Sequence, residues 1–333
     1  MNKIKFISPL KDYMERFVVF KESQGQYIGK LVRILREFDT FAYQYGLDEP
    51  IIKQDLIYAW RKSRITEGER TLYYKYSLWS QLARYMCHNG ISCYIPRMPP
   101  CPRRDYFVPY IYTKEQINAI FNACDKLANI NKCMRTSLFA MPALFHLLYS
   151  TGLRVSEATL LENKDVHLSK GYILIKKTKN KSEKLVALNK SMVNVLEQYE
   201  YYRSQIPVSG ILDENRPYFI QPCGQGISTY SVYGCFRKIL KECGIPFMGQ
   251  NKGPRVHDIR HTYAVHSLMQ MAQNGMDLYT SLPILSVSLG HKSISATEQY
   301  VRLTAVAYSD VLDKNSEFTS YIYSKIKDYG YED

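Results

Sequence analysis

Six residues of four types in the later two-thirds of this sequence, two arginines, two histidines, a lysine and a tyrosine, could jointly move a phosphoryl group. Arg154 follows Gly152 in "STGLRVSEATLL", where one helix ends and the next begins. An arginine at a helix start can present its planar fork to a phosphate beside free backbone N–H groups. The same side chain could instead form a surface salt bridge with Glu157. In "VHDIRHTYAVH", His257 and Arg260 are three apart and share one helical face. His257 and His261 are also one turn apart, but no third ligand on that face supports a metal site. "KKTKNKSEK" carries Lys176, Lys177, Lys179, Lys181 and Lys184 on one hairpin. Such a run is either a solvated charge cluster or the source of a proton donor whose pKa is lowered by neighbouring cations. "LGHKS" supplies His291, and Tyr300 follows nine positions later. Two guanidinium groups can stabilise charge on the non-bridging oxygens of a phosphodiester without a metal. A tyrosyl hydroxyl can be the nucleophile, and a lysine can protonate the leaving 5′-oxygen.

These side chains need elements to hold them. A chain of 333 residues suggests two domains. Its net charge of +13 favours a polyanionic partner, with nucleic acid the usual one. Residues 1–105 hold 18 Lys/Arg against 11 Asp/Glu, and the remaining +6 falls on the rest, so both halves are basic. The first part reads as helical: Ile28, Leu31, Val32, Leu35, Phe38 and Ala42 recur at helical spacing, and a further helix is predicted over 72–89. "CYIPRMPPCPRRDYFVP" has five prolines in seventeen residues and reads as a stiff, cationic strap carrying Arg97, Arg103 and Arg104. A second domain opens at "YTKEQINAIF", where Thr113 and Gln116 have capping-box spacing. Helical patterns follow at 114–127, 136–151 and 154–161, then a β-hairpin in "GYILIKKTKNKSEKLVAL". Helices are predicted again at 191–205, 228–242, 257–274, 279–289 and after Ser293. The domain reading is 1–95 helical, 96–111 linker, 112–312 catalytic, and 313–333 a tail helix that could contact a neighbouring protomer or pack on its own domain.

The eight scattered cysteines contain no CxxC pair and read as free thiols; Cys87-His88 with Cys93 and Cys101 is a loose spacing for a metal site. No signal peptide is predicted, and the apolar run Leu138 to Tyr149 is too short to span a bilayer. A cytoplasmic, DNA-associated protein with no membrane contact is expected.

In their order and separations, "TGLRVSEATLL", "TKNKSEKLVAL", "HDIRHTYA" and "LGHKSISATEQYV" resemble the tyrosine recombinases, or phage integrase family. The match runs from about Tyr112 to Leu303. The resemblance implies a mainly α fold with a small β-sheet: a helical, SAM-like core-binding domain followed by a mixed α/β catalytic domain. It implies Arg154 as the first catalytic arginine with Glu157 supporting it, and His257 and Arg260 as the His-x-x-Arg pair. It also implies His291 as the later histidine, Lys179 as general acid and Tyr300 as nucleophile. Lys177 and Lys181 compete with Lys179 for its place and otherwise read, with Arg97, Arg103 and Arg104, as DNA contacts. The implied activity is site-specific recombination of duplex DNA through a 3′-phosphotyrosine, with no metal, cofactor or ATP. It would serve integration, transposition or excision of a mobile element. The implied assembly is a tetramer on a specific recombination site, with accessory proteins left open. The rival readings are a type IB topoisomerase and an architectural DNA-binding protein that never cuts.

Overall fold

In the computed structural model the apolar stripe that begins at Leu31 becomes one face of helix α2 (Gly29–Gln44). Leu31, Val32, Leu35, Phe38 and Ala42 are all buried, while Lys30, Arg33 and Arg36 face solvent. The structure describes residues 5–26, 28–102, 108–130, 133–176, 183–247, 249, 253–291 and 293–307. The chain divides into two compact units, Met1–Phe107 and Val108–Asp333.

The first unit is helical: α1 (Lys11–Ser23), α2, α3 (Gln54–Lys62) and α4 (Glu69–His88). Trp60 and Trp79 meet edge to face at its centre, ring centroids 5.7 Å apart. The buried Asp39 carboxylate accepts the backbone N–H groups of Ile7 and Ser8 at 2.7 and 2.9 Å, which ties the chain start to α2. Lys75, on α4, is buried too. Its ammonium donates to Glu37 at 2.7 Å and to Glu67 at 2.6 Å.

The second unit begins with α5 (Lys114–Ile130), and the Thr113–Gln116 spacing closes as a reciprocal cap. The Gln116 amide N–H reaches the Thr113 hydroxyl at 3.2 Å, and the Thr113 N–H reaches the Gln116 side-chain oxygen at 3.0 Å. The apolar run becomes a short 3-10 turn, Leu138–Ala140, then α6 (Met141–Thr151). Leu144, Phe145, Leu147 and Leu148 of α6 are buried. After α7 (Val155–Thr159) come three antiparallel strands in the order β1 (Val166–His167), β2 (Tyr172–Ile175), β3 (Lys184–Ala187). The hairpin register pairs Tyr172 with Ala187 and Ile175 with Lys184. Among the described residues five helices follow: α8 (Lys190–Ser204), α9 (Thr229–Glu242), α10 (Val256–Gln273), α11 (Leu278–Leu289) and α12 (Ser295–Ala307).

Helix α10 is the spine of the second unit and packs on α6, α11 and α12. Its first turn is fixed by Asp258, whose fully buried carboxylate accepts the Arg255 backbone N–H at 2.8 Å. Thr262 on the same helix takes the Tyr112 N–H at 3.0 Å, which anchors the start of the unit. No described helix is long and apolar enough to cross a membrane.

Candidate active site

Helix α6 must stop abruptly for Arg154 to be presented, and Gly152 stops it. Its φ of +63° is left-handed, and a Cβ there would run into the Tyr263 ring. The turn also aims the Gly152 carbonyl at α10, where Arg260 Nη1 donates to it at 2.6 Å. Arg260 Nη2 donates to the Leu289 carbonyl at 2.7 Å, at the end of α11. One buried guanidinium thus ties together the ends of two helices. Burial, then the charge of Arg154, push its pKa down to about 10, which leaves it cationic at neutral pH.

Arg154 sits just before α7, with Glu157 one turn on. The Glu157 carboxylate accepts the Arg154 backbone N–H at 3.0 Å and its Nη1 at 2.6 Å. The salt bridge and the helix-start presentation therefore coexist. Glu157 is buried, and the guanidinium it orients stays partly open to solvent.

Both histidines read from sequence lie in this cation-lined region. His257 is exposed at its edge, yet the protein mass around its ring, followed by Arg260, Arg154 and Arg255, pulls its pKa down to about 4. His291 is half-buried, with Nδ1 2.8 Å from the Thr297 hydroxyl, and desolvation followed by Arg260 and Arg154 also brings it to about 4. Tyr300, on α12, is only 1% exposed and packs among Ala264, Val265, Leu268 and Leu289. Its hydroxyl lies 3.0 Å from His261 Nδ1. Burial raises the pKa of that hydroxyl, and Arg260 and Arg154 pull against the rise. Tyr300 is thus a buried tyrosine whose polar tip meets His261 and feels the charge of the arginine pair.

The chain aligns with the description "Phage integrase family" over residues 111–306. The chain belongs to the phage integrase family. Curated relatives include a putative integrase/recombinase, y4rB, of Sinorhizobium fredii (strain NBRC 101917 / NGR234), 27% identical over 89% of this chain and 93% of its own. Tyrosine recombinase XerD of Listeria monocytogenes serotype 4b (strain F2365) is 25% identical over 91% and 96%. Among solved structures, a lambda integrase tetramer bound to a Holliday junction has TM-score 0.60 at 18% identity, covering 87% of this chain and 76% of that one. The Tn1549 transposon integrase bound to transposon right-end DNA has TM-score 0.59 at 14% identity, covering 90% and 99%. The integrase fold, mainly α with a small sheet, is that expected from sequence. Membership of this family makes the protein a site-specific DNA recombinase.

Of the residues the sequence marks, this integrase brings Arg154, Glu157, His257, Arg260, His291 and Tyr300 into one neighbourhood of charge. Lys177, Lys179 and Lys181 lie outside the described residues, as do Arg103, Arg104 and the tail at 313–333. Arg97 is exposed on the first unit. Among the described residues no group of three His, Cys, Asp or Glu could hold a metal ion.

Two residues at the site escape the sequence reading. His261, weighed there only as a metal partner of His257, turns its Nδ1 to Tyr300, and the two histidine rings meet edge to face with centroids 5.0 Å apart. Lys184, one of five lysines in a run, places its Nζ inside the site. Its signal was alternation: Lys184 shares a strand face with buried Val186, while Leu185 between them is 62% exposed.

Proposed function

We propose that this integrase cuts and rejoins duplex DNA at a specific site through a 3′-phosphotyrosine on Tyr300, in the service of a mobile element. The observation that carries this reading is the Tyr300 hydroxyl held 3.0 Å from His261 within the field of Arg260 and Arg154, with Arg260 fixed by the Gly152 and Leu289 carbonyls. Arg154 and Arg260 stabilise the negative charge that develops on the non-bridging oxygens. The Tyr300 oxygen attacks phosphorus, its O–P bond forms, and the P–O5′ bond breaks. His261 Nδ1, 3.0 Å from the attacking hydroxyl, orients it and takes its proton as the O–P bond forms. Lys179 gives the departing 5′-oxygen its proton. Attack by the 5′-hydroxyl of a partner strand reverses these bond changes and frees Tyr300, so the phosphotyrosine conserves the bond energy and no ATP is needed.

The partner is duplex DNA, and exchange between two duplexes requires several protomers. The lambda integrase tetramer on a Holliday junction supports that assembly by likeness of fold. The basic character of both halves supports the DNA partner.

Trapping on nicked suicide substrates from the DNA flanking the gene tests the reading. The wild-type chain forms an SDS-resistant complex, and Tyr300→Phe binds the same DNA without forming one. Binding with no covalent complex for either chain would return the protein to an architectural role. Relaxation of supercoils without strand exchange would favour topoisomerase behaviour.

A further inference from the structure

One amine at the site has no assigned task. Lys184 opens β3, and its register is set by pairing with Ile175. The strand turns Lys184 inward and Leu185 outward, the reverse of what hydrophobicity alone would choose. Its Nζ is sealed from solvent and makes no hydrogen bond among the described residues. The four-carbon stem runs beside the left-handed Gly290: a Cβ on that glycine would stand 3.3 Å from Lys184 Cδ. The charged groups acting on the amine are Arg260, Glu157 and Arg154, and His291 feels the amine in turn. Glu157 is already engaged by Arg154.

An ammonium buried beside two guanidinium groups, with one shared carboxylate, is short of negative charge. Such a group is costly to bury unless something compensates it. Burial and then Arg260 push its pKa down to about 8, so the amine gives up part of its charge as pH approaches that value. We propose that Lys184 is a third cation for the scissile phosphate, contacting a non-bridging oxygen beside Arg154 and Arg260. The role is electrostatic and distinct from protonation of the leaving 5′-oxygen. It rests on the recombinase reading above and adds a phosphate ligand to it.

The experiment compares Lys184→Met, which keeps the stem and removes the charge, with Lys184→Arg, which keeps the charge. On a nicked suicide substrate under single-turnover conditions, Lys184→Met lowers cleavage about 10- to 100-fold and Lys184→Arg restores most of it. A 5′-bridging phosphorothiolate, whose sulfur leaves without a proton, does not rescue Lys184→Met. The wild-type kcat/KM falls as pH rises through about 8, because the free enzyme loses the cation, and in Lys184→Arg that limb moves to higher pH. Sulfur rescue of Lys184→Met would make Lys184 the proton donor and overturn the proposal. Equal loss in Met and Arg variants, or an alkaline limb unmoved by Lys184→Arg, would overturn it as well. A readout independent of chemistry is thermal stabilisation of the full chain by sulfate: smaller in Lys184→Met, retained in Lys184→Arg. Unchanged sulfate stabilisation in Lys184→Met counts against the proposal. Absence of any Tyr300 adduct in the wild-type chain would instead strike the recombinase reading and leave the sulfate result to decide Lys184.

Discussion

Lys75 is a buried lysine of the first unit and Lys184 a half-buried lysine of the second whose Nζ is sealed from solvent, and they differ in the charges around them. Lys75 meets Glu37 and Glu67, each within 2.7 Å, with Arg64 completing the group at 3.2 Å from Glu37. Lys184 has no hydrogen-bond partner among the described residues and lies in the field of two arginines. A buried cation matched by carboxylates holds a fold together. A set of cations left unmatched holds a place for an anion, and the chain accepts the cost in the unit that carries the chemistry. The contrast separates two uses of the same residue type that composition cannot separate.

Removing the arginine at the centre of the unmatched set is expected to have the largest effect. Arg260→Ala lowers the rate of covalent cleavage by about 10²–10³ or more, as loss of a charge-stabilising donor does. It also strands the Gly152 and Leu289 carbonyls, so urea unfolding run in parallel will show reduced stability. Arg260→Lys retains charge but cannot reach both carbonyls, and falls between. Cleavage by Arg260→Ala at the wild-type rate would dissolve the contrast between the two lysine environments.

Changing the matched set acts on stability alone. Lys75→Met leaves Glu37 and Glu67 facing one another and lowers unfolding free energy by about 2 kcal/mol, below the cost of a fully buried pair because Glu37 keeps some solvent. Cleavage by the folded, DNA-bound variant stays within about twofold of wild type. A large loss of cleavage at full occupancy would show that Lys75 serves the chemistry after all.

The histidines give a smaller, pH-dependent test. His257 and His291 at about 4 and His261 at about 3 all lie below the ordinary histidine value of 6.5. Desolvation comes first in each case, followed by Arg260 and Arg154 for His257 and His291 and by His257 and Arg255 for His261. The unfolded chain therefore binds more protons than the folded one below pH 6.5, and folding stability falls as pH drops from 6.5 toward 4. Added sulfate offsets the fall, since an anion between the cations lets the rings accept protons. Differential scanning fluorimetry from pH 7 to 5 reads this, and a melting temperature that rises on acidification contradicts it. The smallest expected effect is none: cleavage persists in EDTA, because arginine, lysine and histidine supply the positive charge the phosphoryl transfer requires.

Much of this arrangement is legible in the sequence because it is local or periodic. The His257–Arg260 spacing puts both on α10, and Gly152 before Arg154 marks the helix stop that presents it. Ile28 to Ala42 writes a helix in its spacing. The boundaries shift by a few residues where capping decides them: α10 begins at Val256 because Asp258 caps from inside the first turn. What the sequence hides is which member of a group turns inward. Five lysines in one run look equivalent until strand register selects Lys184, and His261 looks like no more than a metal partner for His257 until α12 sets the Tyr300 hydroxyl beside it. Both choices depend on contacts between distant segments, the hairpin with the end of α11 and α12 with α10, which no local pattern records.

The central claim is that Tyr300 becomes covalently joined to DNA within this cation-rich site. The direct measurement is mass spectrometry of the nucleotide-bearing peptide recovered from a suicide-substrate complex. The account predicts a single modified residue, Tyr300, carrying the 3′-phosphate, and no modified peptide from Tyr300→Phe. A phosphodiester found on any other residue, or an adduct that survives in Tyr300→Phe, would contradict it.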